Sequence, residues 1–185
     1  MYTHSRRMLL TVSAAIGLCV LPAAASAQML APIRVTDSRV KAEKLDAEAL
    51  SYEENDWQQL KKAARLRELA ADLRAAEDPA GVVSLYWAAR DRYYSGDPRA
   101  ARTLMVQTAE RALAMGDVLN AATAFTEAAY ISADIKDGVR MRALAEKARL
   151  LSASPMLSED QRYQLRTRLA KSDAPVGVVA FLSQP

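Results

Sequence analysis

The chain has 185 residues, of which 25 are basic, 22 are acidic and 51% are hydrophobic, and this length suits one domain with a buried core. Its one histidine, His4, and its one cysteine, Cys19, both lie in a leader that we expect to be removed. Without imidazole or thiol, the remaining chain has no His-dependent catalytic triad, no cysteine nucleophile, no disulfide and no zinc or copper site of the usual type. We therefore predict no metal, no cofactor and no enzyme activity.

Residues 1–27 have the three-part layout of a bacterial signal peptide. The basic pair Arg6-Arg7 precedes an apolar run of about 14 residues, and small residues follow up to Ala27. Because a membrane-spanning helix needs about 20 apolar residues, we expect cleavage between Ala27 and Gln28 and no transmembrane segment afterwards. The protein would then be periplasmic or secreted. The arginine pair fits either twin-arginine export or an ordinary signal.

After residue 27 the charge is almost balanced. The leader holds two of the 25 basic side chains and none of the 22 acidic ones, so the rest carries 23 and 22, a net charge of +1. Only the segment 139–185 is basic, with eight basic and four acidic side chains. For an exported protein, this distribution does not favour nucleic acid as a partner.

Seven residues that are able to cap the start of a helix recur at intervals of 19 to 22 residues. They are Asp37, Asp56, Asp78, Asp97, Asp117, Asp137 and Ser158. The side-chain oxygen of each can accept a hydrogen bond from the first helical turn, and Pro79 and Pro98 suit the first helical position. We predict about seven helices between residues 37 and 172, an extended lead-in at 28–36 and an apolar tail at 173–185.

The helices have recognisable faces and links. Segment 37–53 is polar, segment 57–77 has a Leu and Ala face, and four amphipathic helices follow, with apolar residues at helical spacing. The links Gly96-Asp97 and Gly116-Asp117 are short enough to make neighbouring helices antiparallel. Ser158 and Gln161 form a capping box for the last helix. The sequence therefore predicts an all-α fold.

Residues 102–134 resemble a tetratricopeptide repeat (TPR). The resemblance is carried by Gly116, Asp117, Ala121, Phe125 and Ala128, with Ala109 and Ala112 in the preceding helix. The same offsets recur one helix earlier, so the pair period is near 40 residues instead of the family's 34. The resemblance implies a degenerate, right-handed TPR-like solenoid that acts as a scaffold or adaptor for another protein or peptide of the cell envelope. The family's basic peptide-carboxylate clamp is not matched in the helix 102–115.

Helix 79–95 concentrates aromatic residues. Trp87, Arg90, Asp91 and Tyr94 share one face, which would suit a peptide or a glycan. The alternative is that these residues are core, because a central solenoid helix is covered on two sides. A glycan-binding protein or a carboxylate-dependent glycan-active enzyme is the alternative function.

Three further segments of the sequence each allow two interpretations. The last helix carries four basic residues: Arg162, Arg166, Arg168 and Lys171. They form either a surface that binds anionic lipid or glycopolymer, or a solvated face without a ligand. The carboxylates at 53–56 and 77–78 are better explained as helix caps than as a catalytic pair. The apolar run 176–182 would either join the sheet edge of a partner or lie on its own solenoid.

Overall fold

The computed structural model describes residues 37–172, which form seven α-helices, one short 3₁₀-helix and no β-strand, so the all-α prediction is confirmed. The predicted signal peptide with its Ala27–Gln28 cleavage site, the lead-in and the tail lie outside the described residues. In chain order the helices are α1 (Asp37–Asn55), the 3₁₀-helix (Trp57–Gln59), α2 (Leu60–Leu73), α3 (Pro79–Tyr94), α4 (Pro98–Ala114), α5 (Val118–Asp134), α6 (Gly138–Ser152) and α7 (Glu159–Ser172).

Side-chain caps start α3 to α7 where the sequence predicts them, whereas α2 starts at Leu60, after the 3₁₀-helix, without a side-chain cap. The carboxylates at the starts of α3, α4, α5 and α6 accept a backbone N–H at 2.9–3.2 Å, and Asp56 does the same for the 3₁₀-helix at 3.0 Å. Ser158 and Gln161 exchange the two hydrogen bonds of a capping box, at 2.9 and 3.2 Å. Asp37 is itself the first residue of α1.

The three links from α3 to α6 have the same backbone shape. Gly96, Gly116 and Lys136 occupy the left-handed conformation, with φ of 86°, 75° and 60°. In each link the next N–H, from an aspartate, returns to a carbonyl five residues earlier at 2.8–2.9 Å. Helices α4, α5 and α6 consequently begin at 20-residue intervals.

Helix α2 ends earlier than the predicted residue 77. Arg74 is already extended, with φ −90° and ψ 142°, and its guanidinium lies between Asp46 and Asp78. The carbonyl groups at the end of α2 accept hydrogen bonds from Arg111 of α4 instead of continuing the helix. The early end is thus a tertiary effect.

Each helix from α1 to α6 packs against the next one, and α7 packs against both α5 and α6, which is a solenoid-like arrangement. The interhelical core is rich in alanine, and paired alanines in α2, α3 and α5 are fully buried. Because alanine has a small side chain, the helix backbones approach closely there. The larger core residues are Met105, Phe125, Ile131, Leu144 and Leu169.

Side chains also join alternate helices. Tyr93 of α3 hydrogen-bonds Asp134 of α5 at 3.3 Å, and Tyr130 of α5 donates to a carbonyl of α7. On the other side, Arg102 of α4 pairs with the cap of α6 at 2.8 Å. The helices therefore form an odd layer (α1, α3, α5, α7) and an even layer (α2, α4, α6).

Candidate functional site

Three of the four predicted binding residues of α3 lie together in the odd layer. The Arg90 guanidinium is 4.7 Å from the centre of the Trp87 ring and 5.8 Å from that of Tyr94. Trp87 and Arg90 are half-buried, whereas Tyr94 is exposed. Arginine over an aromatic ring is a favourable cation–π arrangement. Trp87, Arg90 and Tyr94 therefore form a cation–π stack on the surface of α3, which we call the Arg90 stack.

Asp91, the fourth predicted residue, is buried among α1, α2 and α3 instead of lying on the surface with the stack. It is 4% exposed and faces Arg67 of α2 and Glu53 of α1. Arg67 Nε is 2.5 Å from a Glu53 oxygen but 3.8 Å from Asp91 Oδ2. Desolvation and the negative charge of Glu53 raise the pKa of Asp91 to about 8. The Asp91 carboxyl therefore lies in the core, and its raised pKa favours the protonated form.

Arg67, Glu53 and Asp91 form a first polar layer between α1, α2 and α3. A second polar layer lies two helical turns away from it along these helices. Arg74 Nη2 is 2.7 Å from Asp46 Oδ2, and the Ser84 hydroxyl is 2.8 Å from the same oxygen. Arg67 connects the two layers, with Nη1 3.6 Å from Asp46. Of the described apolar side chains of α1, only Ala42 and Ala49 are buried. Ion pairs and hydrogen bonds therefore account for much of the attachment of α1 to α2 and α3.

A cavity of about 310 Å³ opens beside Trp87, between α3, α4 and α5. We call it the α3–α5 groove. Its lining is uncharged and consists of Val82, Val83, Tyr86, Trp87, Thr108, Asn120 and Thr123. Val83 is 52% exposed at the rim, whereas Thr108 is buried. The groove suits an apolar or uncharged side chain, and hydroxyl and amide groups are available for hydrogen bonding.

An ion pair with one buried partner lies close to Tyr86. The Glu127 carboxylate of α5 is 3.8 Å from the Arg168 guanidinium of α7 and largely hidden from solvent. Desolvation raises the pKa of Glu127, and the positive charges of Arg168 and Arg90 oppose this effect. Desolvation and the charge of Glu127 also raise the pKa of the Tyr86 hydroxyl. Arg168 thus pairs with α5 and is separated from Arg162 and Arg166, which line another site.

Arg162 and Arg166 line a different site, a cleft of about 940 Å³ between α6 and α7. We call it the α6–α7 cleft. The full lining is Arg149, Ser152, Ala153, Glu159, Arg162, Tyr163, Arg166, Leu169 and Ala170. Within residues 37–172, no carboxylate lies within ion-pair distance of Arg162 or Arg166. The predicted basic set is therefore divided between two surfaces, and the side chain of Lys171 lies outside the described part.

Three of the acidic residues next to helix starts have structural contacts. Asp56 caps the 3₁₀-helix, and Asp78 caps α3 and also contacts Arg74 at 3.3 Å. Glu53 belongs to the ion cluster of Arg67. The cap interpretation of Asp56 and Asp78 is confirmed.

Sequence reasoning missed the two polar layers, although a signal was present. The sequence of the first three helices contains three pairs of polar residues seven positions apart, although Arg74 lies just after the end of α2 in the structure: Asp46 and Glu53, Arg67 and Arg74, Ser84 and Asp91. In a helix, two turns separate residues seven positions apart, so this spacing predicts that the members of a pair lie on one face. The signal was an arginine, Arg67, on the face of α2 that otherwise carries alanine and leucine. A charged residue on an apolar face indicates a buried ion pair.

No three His, Cys, Asp or Glu side chains among residues 37–172 converge where they could bind a metal ion. None of the helices in this range is long and apolar enough to cross a membrane.

Comparison of the chain with models of protein families, with curated proteins and with solved structures gives no match. The chemistry of the α3–α5 groove and the α6–α7 cleft is therefore the basis for a functional assignment.

Proposed function

We propose that this protein is an exported, TPR-like scaffold or adaptor, without catalytic activity, that binds a peptide segment of another cell-envelope protein in the α3–α5 groove. The observation that carries the proposal is the uncharged, partly aromatic lining of this groove beside the Arg90 stack. Stacked helical repeats commonly present such surfaces to protein partners.

The dimensions and polarity of the groove suit part of a peptide. Its volume of about 310 Å³ is at the lower end of small-molecule pockets, roughly 300 to 1,000 Å³, and fits one or two side chains. Asn120 and Thr123 on one wall are able to hydrogen-bond a peptide backbone, whereas Val82 and Tyr86 favour an apolar side chain. Arg90 and the Glu127–Arg168 pair, near Tyr86, would orient charged groups of the peptide.

The same geometry gives less support to the glycan alternative. Glycan stacking needs an open aromatic face, but the Trp87 ring already has Arg90 at 4.7 Å and Arg67 at 5.7 Å. Glycoside hydrolysis needs two carboxyl groups across a cleft, about 5 to 9 Å apart. Glu53 and Asp91 are instead enclosed with Arg67 between α1, α2 and α3.

Site-specific photocrosslinking in cells of the source organism tests the proposal. A benzophenone amino acid replaces Val83, 52% exposed at the groove, or Val139, 73% exposed on α6, as a matched control. We expect a discrete protein adduct from position 83 only, and its loss when Tyr86→Ala is added. Equal adducts from both positions, adducts with polysaccharide, or no adduct at position 83 would contradict peptide binding in the groove.

The export part of the proposal has a separate test. We expect mass spectrometry of the protein from the periplasmic or secreted fraction to find Gln28 at the N-terminus. An intact chain from Met1 in the cytoplasm would refute export without affecting the groove.

A further inference from the structure

The end of the solenoid formed by α6 and α7 combines exposed apolar side chains with positive charge. Leu150, Met156 and Tyr163 are 68%, 72% and 70% exposed. Residues 139–172 contain eight basic and three acidic side chains. The terminal repeats of solenoids usually have a polar outer face, because no further repeat covers them. This end therefore has the composition of a contact surface.

The α6–α7 cleft places the charges around an apolar base. Arg162 and Arg166 are one turn apart on the same face of α7, and Arg149 lies on α6 across the cleft. Leu169 is buried at the base, and Tyr163 stands at the rim. An occupant would meet guanidinium groups at the edges and hydrocarbon below.

We propose that the α6–α7 cleft is a docking site for an acidic peptide segment of a partner protein. Carboxylates of the segment pair with Arg162 and Arg166, and an apolar side chain between them covers Leu169 and Tyr163. Arginine suits this role because its planar guanidinium binds a carboxylate through two parallel hydrogen bonds. This site is separate from the α3–α5 groove and does not depend on the function proposed for it.

The lining favours a peptide over a membrane or an anionic polymer. The cleft is recessed between two helices, so a planar lipid surface would not reach Ser152 and Leu169 at its base. Glu159 lies in the lining, and Glu146 is 3.4 Å from Arg149. These carboxylates would repel a continuous row of phosphates or sulfates, whereas a peptide places its charges at intervals.

Fluorescence anisotropy with a labelled probe peptide tests the proposal on the purified protein. The probe is Ser-Glu-Glu-Leu-Glu-Phe-Glu-Gly, and the control peptide has glutamine at every glutamate position. We expect Arg162→Glu/Arg166→Glu to weaken binding of the probe by at least about tenfold, since charged hydrogen bonds contribute more than neutral ones. The glutamine peptide should bind the unmodified protein as weakly as the probe binds this variant.

A matched variant controls for net charge. Arg65→Glu/Arg142→Glu makes the same charge change at exposed positions outside the cleft, and should alter affinity by no more than about twofold. Circular dichroism verifies that both variants are folded, and Arg162→Gln/Arg166→Gln replaces the first variant if it is not. Equal loss in the cleft and control variants, or no binding of the probe, would overturn the proposal. Binding of phosphatidylglycerol vesicles through Arg162 and Arg166, without peptide binding, would overturn it in favour of a lipid surface.

Discussion

A methyl group at Gly81 would occupy the space of the Arg111 guanidinium. Gly81 lies in the first turn of α3, and a Cβ atom built there overlaps the end of the Arg111 side chain. That guanidinium donates to the carbonyls of Ala71 at 3.0 Å and Arg74 at 3.3 Å, and also to that of Ala75. The carbonyls of Ala71 and Ala75 also accept backbone N–H groups, from Arg74 at 3.3 Å and from Asp78 at 3.0 Å. All three carbonyls lie at or just after the C-terminus of α2, which carries partial negative charge. Alanine at position 81 would therefore displace a cap that α4 provides for α2.

The change in the free energy of unfolding caused by Gly81→Ala is the difference between two opposing effects. Hydrogen bonds from charged donors contribute about 1.5 to 3 kcal/mol, and the lower end applies because Arg111 is half-exposed. Alanine in place of glycine stabilises a helix by about 0.5 to 1 kcal/mol. We expect Gly81→Ala to lower the free energy of unfolding by about 1 kcal/mol. In an Arg111→Met background, where no guanidinium is displaced, the same change should raise it by about 0.5 to 1 kcal/mol.

Urea denaturation of the four proteins, followed by circular dichroism, measures this double-mutant cycle. The expected result is a change of sign, with a coupling energy of about 1.5 to 2 kcal/mol between positions 81 and 111. If Gly81→Ala stabilises both backgrounds equally, the guanidinium does not lie against Gly81 and α4 does not cap α2 in this way.

Three more predictions concern stability, each measured by urea denaturation. Lys136→Gly should stabilise the protein by about 0.5 to 1 kcal/mol, because a left-handed residue with φ of 60° strains a lysine but not a glycine. Arg67→Met should destabilise it by about 3 to 5 kcal/mol, because buried carboxylates lose their partner, and adding Glu53→Gln should recover part of this loss. Asp91→Asn should remove a pH dependence. In the folded state Asp91 holds its proton up to a pKa of about 8, whereas in the unfolded state it ionises near 4, so its contribution to stability falls as pH rises between these values.

Each of these has a result that would contradict it. Gly116→Ala, which places a side chain at a φ of 75°, is the reverse control for Lys136→Gly and should destabilise. A loss below about 1 kcal/mol for Arg67→Met would show that the cluster is hydrated and contributes little. For Asp91→Asn, the gain over the unmodified protein should be larger at about pH 8 than at about pH 5. A pH-independent difference would mean that Asp91 is ionised in the folded protein.

The helix positions were predictable because their signals are local. Asp97 and Asp117 accept hydrogen bonds from N–H groups three residues away, and Gly96 and Gly116 need only their own left-handed conformation. These interactions are encoded within a few residues. Lys136 shows the limit of residue preference, because it takes the same conformation without being glycine.

The site was only partly predictable. Helical spacing placed Trp87, Arg90, Asp91 and Tyr94 on one face, but that face is wide enough to be divided between solvent and core. Asp91 is buried because α1 and α2 cover it. Arg168 is separated from Arg162 and Arg166 because α7 packs against α5, where Arg168 pairs with Glu127. Helical periodicity alone does not determine which neighbouring helix covers a given part of the helix surface.

The sequence by itself determined the number of helices, the starts of α3 to α7 and their antiparallel order, since caps, glycine turns and short links act over a few residues. Tertiary structure alone decided the end of α2, the polar layers around Arg67 and Arg74, and the division of the surface into a groove and a cleft. The physical reason is that burial and ion pairing depend on the distance between residues far apart in the chain. Arg111 illustrates this, because its partners at the end of α2 lie up to 40 residues earlier.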